Sequence, residues 1–220
     1  MNQTAIGLID VQRGFMPAEE GQRLETHGFG ELPVPEGEQV IPALNRLVGA
    51  YAAAGAGVFT TQDWHPHVTA HFSDQPNFTT TWPKHCVDGT PGAELHPGLV
   101  LPGRHIRFIK GFEPLERGED DLSYSGYYAE DPTTGHSLPD WLTARDIKTV
   151  ILGGLALDYC VGETALDLRQ KLGLEVIVAL DGTRGIAEDS NASMLARFEE
   201  AGVLLSTTEA LVNQLEAQAA

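Results

Sequence analysis

Three residues of this chain pair a reactive side chain with a position where a sheet would expose it. Cys160 follows the apolar run Thr149-Val150-Ile151-Leu152 and the segment Gly153-Gly154-Leu155-Ala156-Leu157-Asp158-Tyr159. After it, Val161-Gly162-Glu163-Thr164-Ala165-Leu166-Asp167-Leu168 repeats with helical spacing. The pattern reads as strand, tight turn, cysteine, helix. A thiol at a helix N-terminus sits beside unpaired backbone N–H groups and the positive end of the helix dipole, and both favour the nucleophilic thiolate. The competing account is a small buried thiol that only packs. Asp10 ends the apolar run Ile6–Ile9, where a carboxylate either works at the rim of a sheet or closes the next turn. Lys110 ends Arg107-Phe108-Ile109, and its plainer reading is a solvent-exposed lysine at a strand end. An acid, a base and a nucleophile closing three strands at one sheet edge are harder to dismiss together than singly.

A second group is dense in metal-binding side chains. Asp63, His65, His71 and His85 fall within one short stretch, and Asp63 and His65 alternate so that an extended backbone points both the same way. Three imidazoles and a carboxylate suit a borderline divalent metal such as Zn²⁺, Fe²⁺ or Mn²⁺. Incidental histidines in a polar loop are the alternative, and His67 and His96 show that extras exist.

The elements that must position these residues are visible as short apolar runs alternating with longer helical patterns. The expected strands are Thr4–Asp10, Gly57–Thr61, His105–Ile109, Thr149–Gly153, Glu175–Ala179 and Val203–Ser206. The expected helices are Gln39–Ala54, Leu138–Arg145, Tyr159–Leu172, Ser190–Ala201 and Thr208–Ala217. Such alternation predicts an α/β fold with three α/β/α layers around a six-stranded, mainly parallel sheet. Two long connections, from Asp63 to about Arg104 and from Gly111 to about Ser137, interrupt it; the first holds Trp64, Trp82 and five of the eight histidines. Loops of that length in a compact domain are usually functional or disordered, and the aromatic and histidine content of the first argues against disorder there.

Composition narrows the partners. The 220 residues, 42% hydrophobic and 20% charged, suit one domain over residues 1–220. A formal charge of −17 argues against nucleic acid or an anionic membrane as partner. No apolar run is long enough to span a bilayer, and Met1-Asn2-Gln3-Thr4 lacks the basic start of a signal peptide. A cytoplasmic location is expected, with Cys86 and Cys160 as free thiols.

Taken together, the motifs resemble the nicotinamidase/pyrazinamidase branch of the isochorismatase-like cysteine hydrolases over nearly the whole chain. The resemblance is carried by Asp10-Val11-Gln12-Arg13-Gly14-Phe15, Gln62-Asp63-Trp64-His65-Pro66, His71-Phe72-Ser73, Thr81-Trp82-Pro83-Lys84-His85-Cys86-Val87, Gly89-Thr90-Pro91-Gly92-Ala93, Lys110-Gly111 and Gly154-Leu155-Ala156-Leu157-Asp158-Tyr159-Cys160-Val161. It implies a catalytic triad of Asp10, Lys110 and Cys160, and one divalent metal ion, Zn²⁺ first among the candidates, on Asp63, His65, His71 and His85. It also implies a cis peptide at Leu155–Ala156, with the Ala156 and Cys160 N–H groups as an oxyanion hole. Phe15 and Trp82 are expected to sandwich a flat substrate ring, with Tyr124 and Tyr159 as further contacts. The implied reaction is hydrolysis of nicotinamide, and of pyrazinamide, through a thioester, in NAD salvage. Another small-amide or ureido hydrolase of the superfamily, or a metal-binding protein without turnover, are the rival readings. The resemblance leaves monomer or homo-oligomer open. Two departures stand out: Leu157 occupies a position where many members carry threonine, and Glu113–Asp121 is longer and more acidic than usual.

Overall fold

Period-two alternation in the strands divides the core into two halves. In β1 (Thr4–Ile9), Ala5 and Ile9 point to one side of the sheet, Ile6 and Leu8 to the other, and all four are fully buried. In β5 (Glu175–Arg184), Val176 and Val178 oppose Ile177 and Ala179 in the same way. Strands buried on both faces belong to a parallel sheet covered by helices on both sides. The computed structural model describes residues 3–18, 27–112 and 124–219. The remaining strands are β2 (Gly57–Asp63), β3 (Ile106–Lys110), β4 (Thr149–Leu155) and β6 (Leu204–Ser206), in the order β3-β2-β1-β4-β5-β6. Every neighbouring pair is parallel, so the sheet is wholly, not merely mainly, parallel.

Helices α1 (Val40–Ala53) and α5 (Thr208–Ala219) cover one face. In α1, Val40, Ile41, Leu44, Leu47, Val48 and Tyr51 recur at helical spacing and bury one stripe. The opposite face carries α2 (Leu138–Ala144), α3 (Gly162–Leu172) and α4 (Glu188–Ala201) through Trp141, Leu168 and Phe198 among others. Each such fully buried side chain contributes about 1.5–3 kcal/mol from apolar burial. Among the described residues, no helix is long and apolar enough to cross a membrane.

Strand order sets where a site can form. From β1 the chain moves outward to β2 and β3, then returns to the other side of β1 for β4, β5 and β6. The β1/β4 boundary is therefore a topological switch point, and ligands in open α/β sheets bind beyond the carboxyl ends of the strands at such a point. There β4 ends at Leu155, and its peptide with Ala156 is cis, as the resemblance implied. A turn over Leu157–Val161 follows, closed by the Val161 N–H on the Ala156 carbonyl, a five-residue reach. The regular helix begins only at Gly162, where the spacing predicted it from Tyr159. Wide turns of this kind are frequent at functional sites. The Glu113–Asp121 segment lies outside the described residues.

Candidate active site

At the carboxyl edge of the sheet, strand order brings four side chains together. Asp63 and Lys110 are register partners on β2 and β3, Asp10 leaves the end of β1, and Cys160 lies in the turn after β4. All are buried: Asp10 at 0% exposure, Lys110 at 1%, Asp63 at 4% and Cys160 at 6%. The Lys110 ammonium is 2.8 Å from Asp10 Oδ2, donates to Asp63 Oδ1, and lies 3.4 Å from Cys160 Sγ. Asp10 takes up a left-handed backbone conformation (φ 48°) on leaving the strand. The Thr61 hydroxyl donates to its Oδ1 at 2.6 Å. Sequence proximity would have revealed neither Thr61 nor the link between Asp63 and Lys110, because both arise from strand pairing.

The charges here correct one expectation. Burial pushes the Cys160 thiol well above its ordinary pKa; Lys110 opposes this, while the Asp10 and Asp63 carboxylates reinforce it. Lys110 is shared with two carboxylates, so these surroundings favour the protonated thiol despite the following helix. Burial also raises Asp10, with Lys110 offsetting and Asp63 adding to the effect. For Asp63 the burial penalty is outweighed by Lys110 and His65, which hold it well below the usual carboxylate range. Burial disfavours charge on Lys110, but Asp10 and Asp63 overcome this and keep it firmly protonated.

Beside these four side chains, His65, His71 and His85 bring ring nitrogens within 4.8 Å of one another, all three buried. The remaining expected ligand, Asp63, has Oδ2 3.7 Å from His65 Nε2. A carbonyl can only accept, so the contacts of His65 Nδ1 with Gly111 O (3.0 Å) and of His85 Nδ1 with Pro83 O (2.7 Å) fix both protons on Nδ1. The Nε2 lone pairs are then presented inward, which is how second-shell carbonyls orient metal-binding imidazoles. His65 Nε2 is buried with no hydrogen-bond partner. Burial, then the neighbouring His65, lowers the His85 pKa to about 3, keeping it neutral. A buried donor set of three imidazoles with a carboxylate fits a divalent metal.

Between the two clusters lies a pocket of about 370 Å³ empty volume, lined by Phe15, Trp82, Tyr124, Tyr159, Asp63, His71, His85, Ala156 and Cys160. All four expected ring contacts are therefore at the pocket. Trp82 meets Tyr159 edge to face at 5.1 Å and donates from Nε1 to the Tyr124 hydroxyl at 2.8 Å. Phe15 packs against His85 at 5.4 Å. Leu32, Val34 and Ile186 complete the lining and were not foreseen. They come from irregular segments where no periodicity marks an inward side chain.

Two further residues hold the frame. Gln12, fully buried, donates from Nε2 to the carbonyls of Asp63 and Ala93 and accepts the Asp63 N–H, each at 2.8 Å. It fixes the end of β2 and hence the Asp63 carboxylate. Asp158, two residues before the cysteine, accepts from the N–H groups of Ile186 and Ala187 and from Ser190 Oγ. This ties the start of α4 to the cysteine turn and holds Ile186 at the pocket.

Comparison with known proteins places this geometry among relatives. The isochorismatase domain family matches residues 4–210. The chain is 36% identical to a nicotinamidase of Acinetobacter baylyi, covering 90% of this chain and 88% of that one. It is 35% identical to the nicotinamidase/pyrazinamidase of Mycobacterium tuberculosis, over 91% of this chain and 97% of the other. The crystal structure of the Pyrococcus horikoshii pyrazinamidase in complex with zinc superposes with a TM-score of 0.76 at 32% identity, covering 94% of this chain and 99% of that chain.

Proposed function

The chain belongs to the isochorismatase family, and on that premise we propose that it is a cysteine amidohydrolase converting nicotinamide to nicotinate and ammonia. Pyrazinamide is a second substrate in this reading, and pyridine-nucleotide salvage in the cytoplasm is the physiological setting. The observation that carries it is one pocket with Asp10, Lys110 and Cys160 beside it or in its wall and a trio of buried imidazoles within the same site. The relatives' names supply the substrate class.

The catalytic roles follow from the charges. Asp10, with its proton affinity raised by burial, is a stronger base than an ordinary carboxylate, and it faces a thiol that burial shifts toward its protonated form. Asp10 takes the Sγ proton as sulfur attacks the carboxamide carbon. Negative charge then develops on the amide oxygen, where the N–H groups of Ala156 and Cys160 would form the oxyanion hole, each donor contributing about 2.7–4 kcal/mol. Asp10 passes the proton to the amide nitrogen, the C–N bond breaks, and ammonia leaves a thioester. Water, deprotonated by Asp10, opens that thioester to the acid and restores the thiol. Lys110 keeps Asp10 ionised between these transfers.

His65, His71, His85 and Asp63 would hold one divalent metal ion, with Zn²⁺ preferred to Fe²⁺ or Mn²⁺. When bound, the ion supplies a Lewis-acid contact for the ring nitrogen, fixing orientation. Phe15 on one side and Trp82, Tyr124 and Tyr159 on the other would hold the faces and edges of the ring.

Ammonia release from nicotinamide by the purified protein tests the reading. Cys160→Ala should reduce turnover to background with metal content and fold unchanged. Turnover retained in that variant, with contaminating enzyme excluded, would overturn the covalent mechanism.

A further inference from the structure

The aromatic wall of the pocket is anchored outside it. The Tyr159 hydroxyl donates to the Phe78 carbonyl at 3.5 Å, and the Tyr124 hydroxyl donates to the Thr79 carbonyl at 3.3 Å. Tyr124 in turn accepts the Trp82 indole N–H. Two wall residues from separate segments thus meet two consecutive carbonyls of one exposed turn, and Trp82 is linked to them through Tyr124. Those carbonyls face the phenols while Phe78 holds a left-handed backbone conformation (φ 55°), which is uncommon for an aromatic residue.

The lock on that conformation is the side chain of Asn77. Its Oδ1 accepts the N–H groups of Thr79, Thr80 and Thr81 at 3.0, 2.9 and 3.0 Å. Its Nδ2 donates to Thr80 Oγ1 at 2.9 Å, and Thr81 Oγ1 accepts the Asn77 N–H at 3.0 Å. The turn then runs directly into Trp82, whose backbone pairs with His71 and Ser73. Asn77 is exposed and does not line the pocket.

We propose that Asn77 is a positioning residue for ring binding: it sets the turn at 77–81, and through the Phe78 and Thr79 carbonyls it fixes Tyr159, Tyr124 and Trp82. The proposal rests on the nicotinamide reading above for its kinetic test. A wall that grips the ring equally in ground and transition states affects KM and leaves kcat alone.

Asn77→Ala should raise KM for nicotinamide by about tenfold, equivalent to a modest loss of binding energy, with kcat little changed. Asn77→Asp keeps the Oδ acceptor and should restore KM to near the wild-type value. A wild-type KM in the alanine variant, or an aspartate variant no better than alanine, would overturn the proposal. Hydrogen exchange of the Trp82 indole N–H, followed by NMR, needs no substrate. It should quicken in Asn77→Ala and return to the wild-type rate in Asn77→Asp; an unchanged rate in Asn77→Ala overturns the positioning role. If the wild-type protein fails to hydrolyse nicotinamide, the assigned activity falls and this exchange measurement still decides the role of Asn77.

Discussion

At the residue scale, the chemistry of Cys160 is decided by a count of neighbouring charges. Lys110 is 3.4 Å away, yet it is shared with Asp10 and Asp63, and burial adds its own penalty on the thiolate. Ionisation is therefore disfavoured, and the reactive fraction grows only as pH rises through the elevated pKa. In metal-free protein, the rate of Cys160 alkylation by iodoacetamide should have its midpoint above the ~8.5 of a free cysteine. Lys110→Met removes a nearby cation that favours the thiolate and should push that midpoint higher. Mass spectrometry separates Cys160 from Cys86, whose thiol burial also raises. A midpoint at or below the free-cysteine value would mean that a thiolate exists in the resting site. The residue types were legible in the sequence because they close apolar runs. Their charge balance was not, since Asp63 meets Lys110 only through the register of β2 on β3.

At the scale of elements, the central strands were legible because both their faces are apolar, and their ends were not. β2 continues through Gln62 and Asp63, which are polar but buried at the sheet edge, Gln62 donating to Ala93 O and Asp63 paired with Lys110. β5 runs on to Arg184 because Thr183 pairs with Gly154 and donates its hydroxyl to the Gly154 carbonyl at 2.8 Å. Gly154 is the point at which β4 is pressed against β1. Its φ is 126°, and a Cβ there would lie 2.0 Å from the Ile9 carbonyl oxygen, one residue before Asp10. Neither backbone can yield without moving the cysteine turn or the base. Gly154→Ala should destabilise the fold by about 3 kcal/mol or more, from combined strain and overpacking. Gly103→Ala, where a Cβ meets nothing within 4 Å, is the control and should be nearly neutral. Denaturant unfolding of the two variants makes the comparison, and equal midpoints would remove Gly154 from this account.

At the scale of the whole molecule, the ends of the strands supply the proposed triad and the long connection after β2 supplies His65, His71 and His85, most of the proposed metal ligands. Substrate selection must therefore be a property of both together. The sequence signalled this division, since the histidines and tryptophans concentrate in the one connection that lacks periodicity. It gave no sign of Leu32, Val34 and Ile186, which reach the pocket only through the tertiary fold. The resulting cavity is apolar and aromatic around its walls and carries the imidazoles of His71 and His85. A flat ring with a nitrogen donor satisfies both features, whereas benzamide satisfies only the first. Benzamide can occupy the aromatic walls but has no nitrogen to direct at a metal held by the imidazole cluster, so its carboxamide should be held less well over Cys160. Misplacement of a reacting group by about 1 Å can cost on the order of 10²-fold in rate. The kcat/KM for nicotinamide should exceed that for benzamide by about that factor, measured on one preparation with its metal content determined. Chelation of the metal should shrink the difference, because it removes what distinguishes the two rings while leaving Asp10, Lys110 and Cys160 in place. Equal values before chelation would show that the imidazole cluster does not select the ring, leaving shape alone to define the substrate.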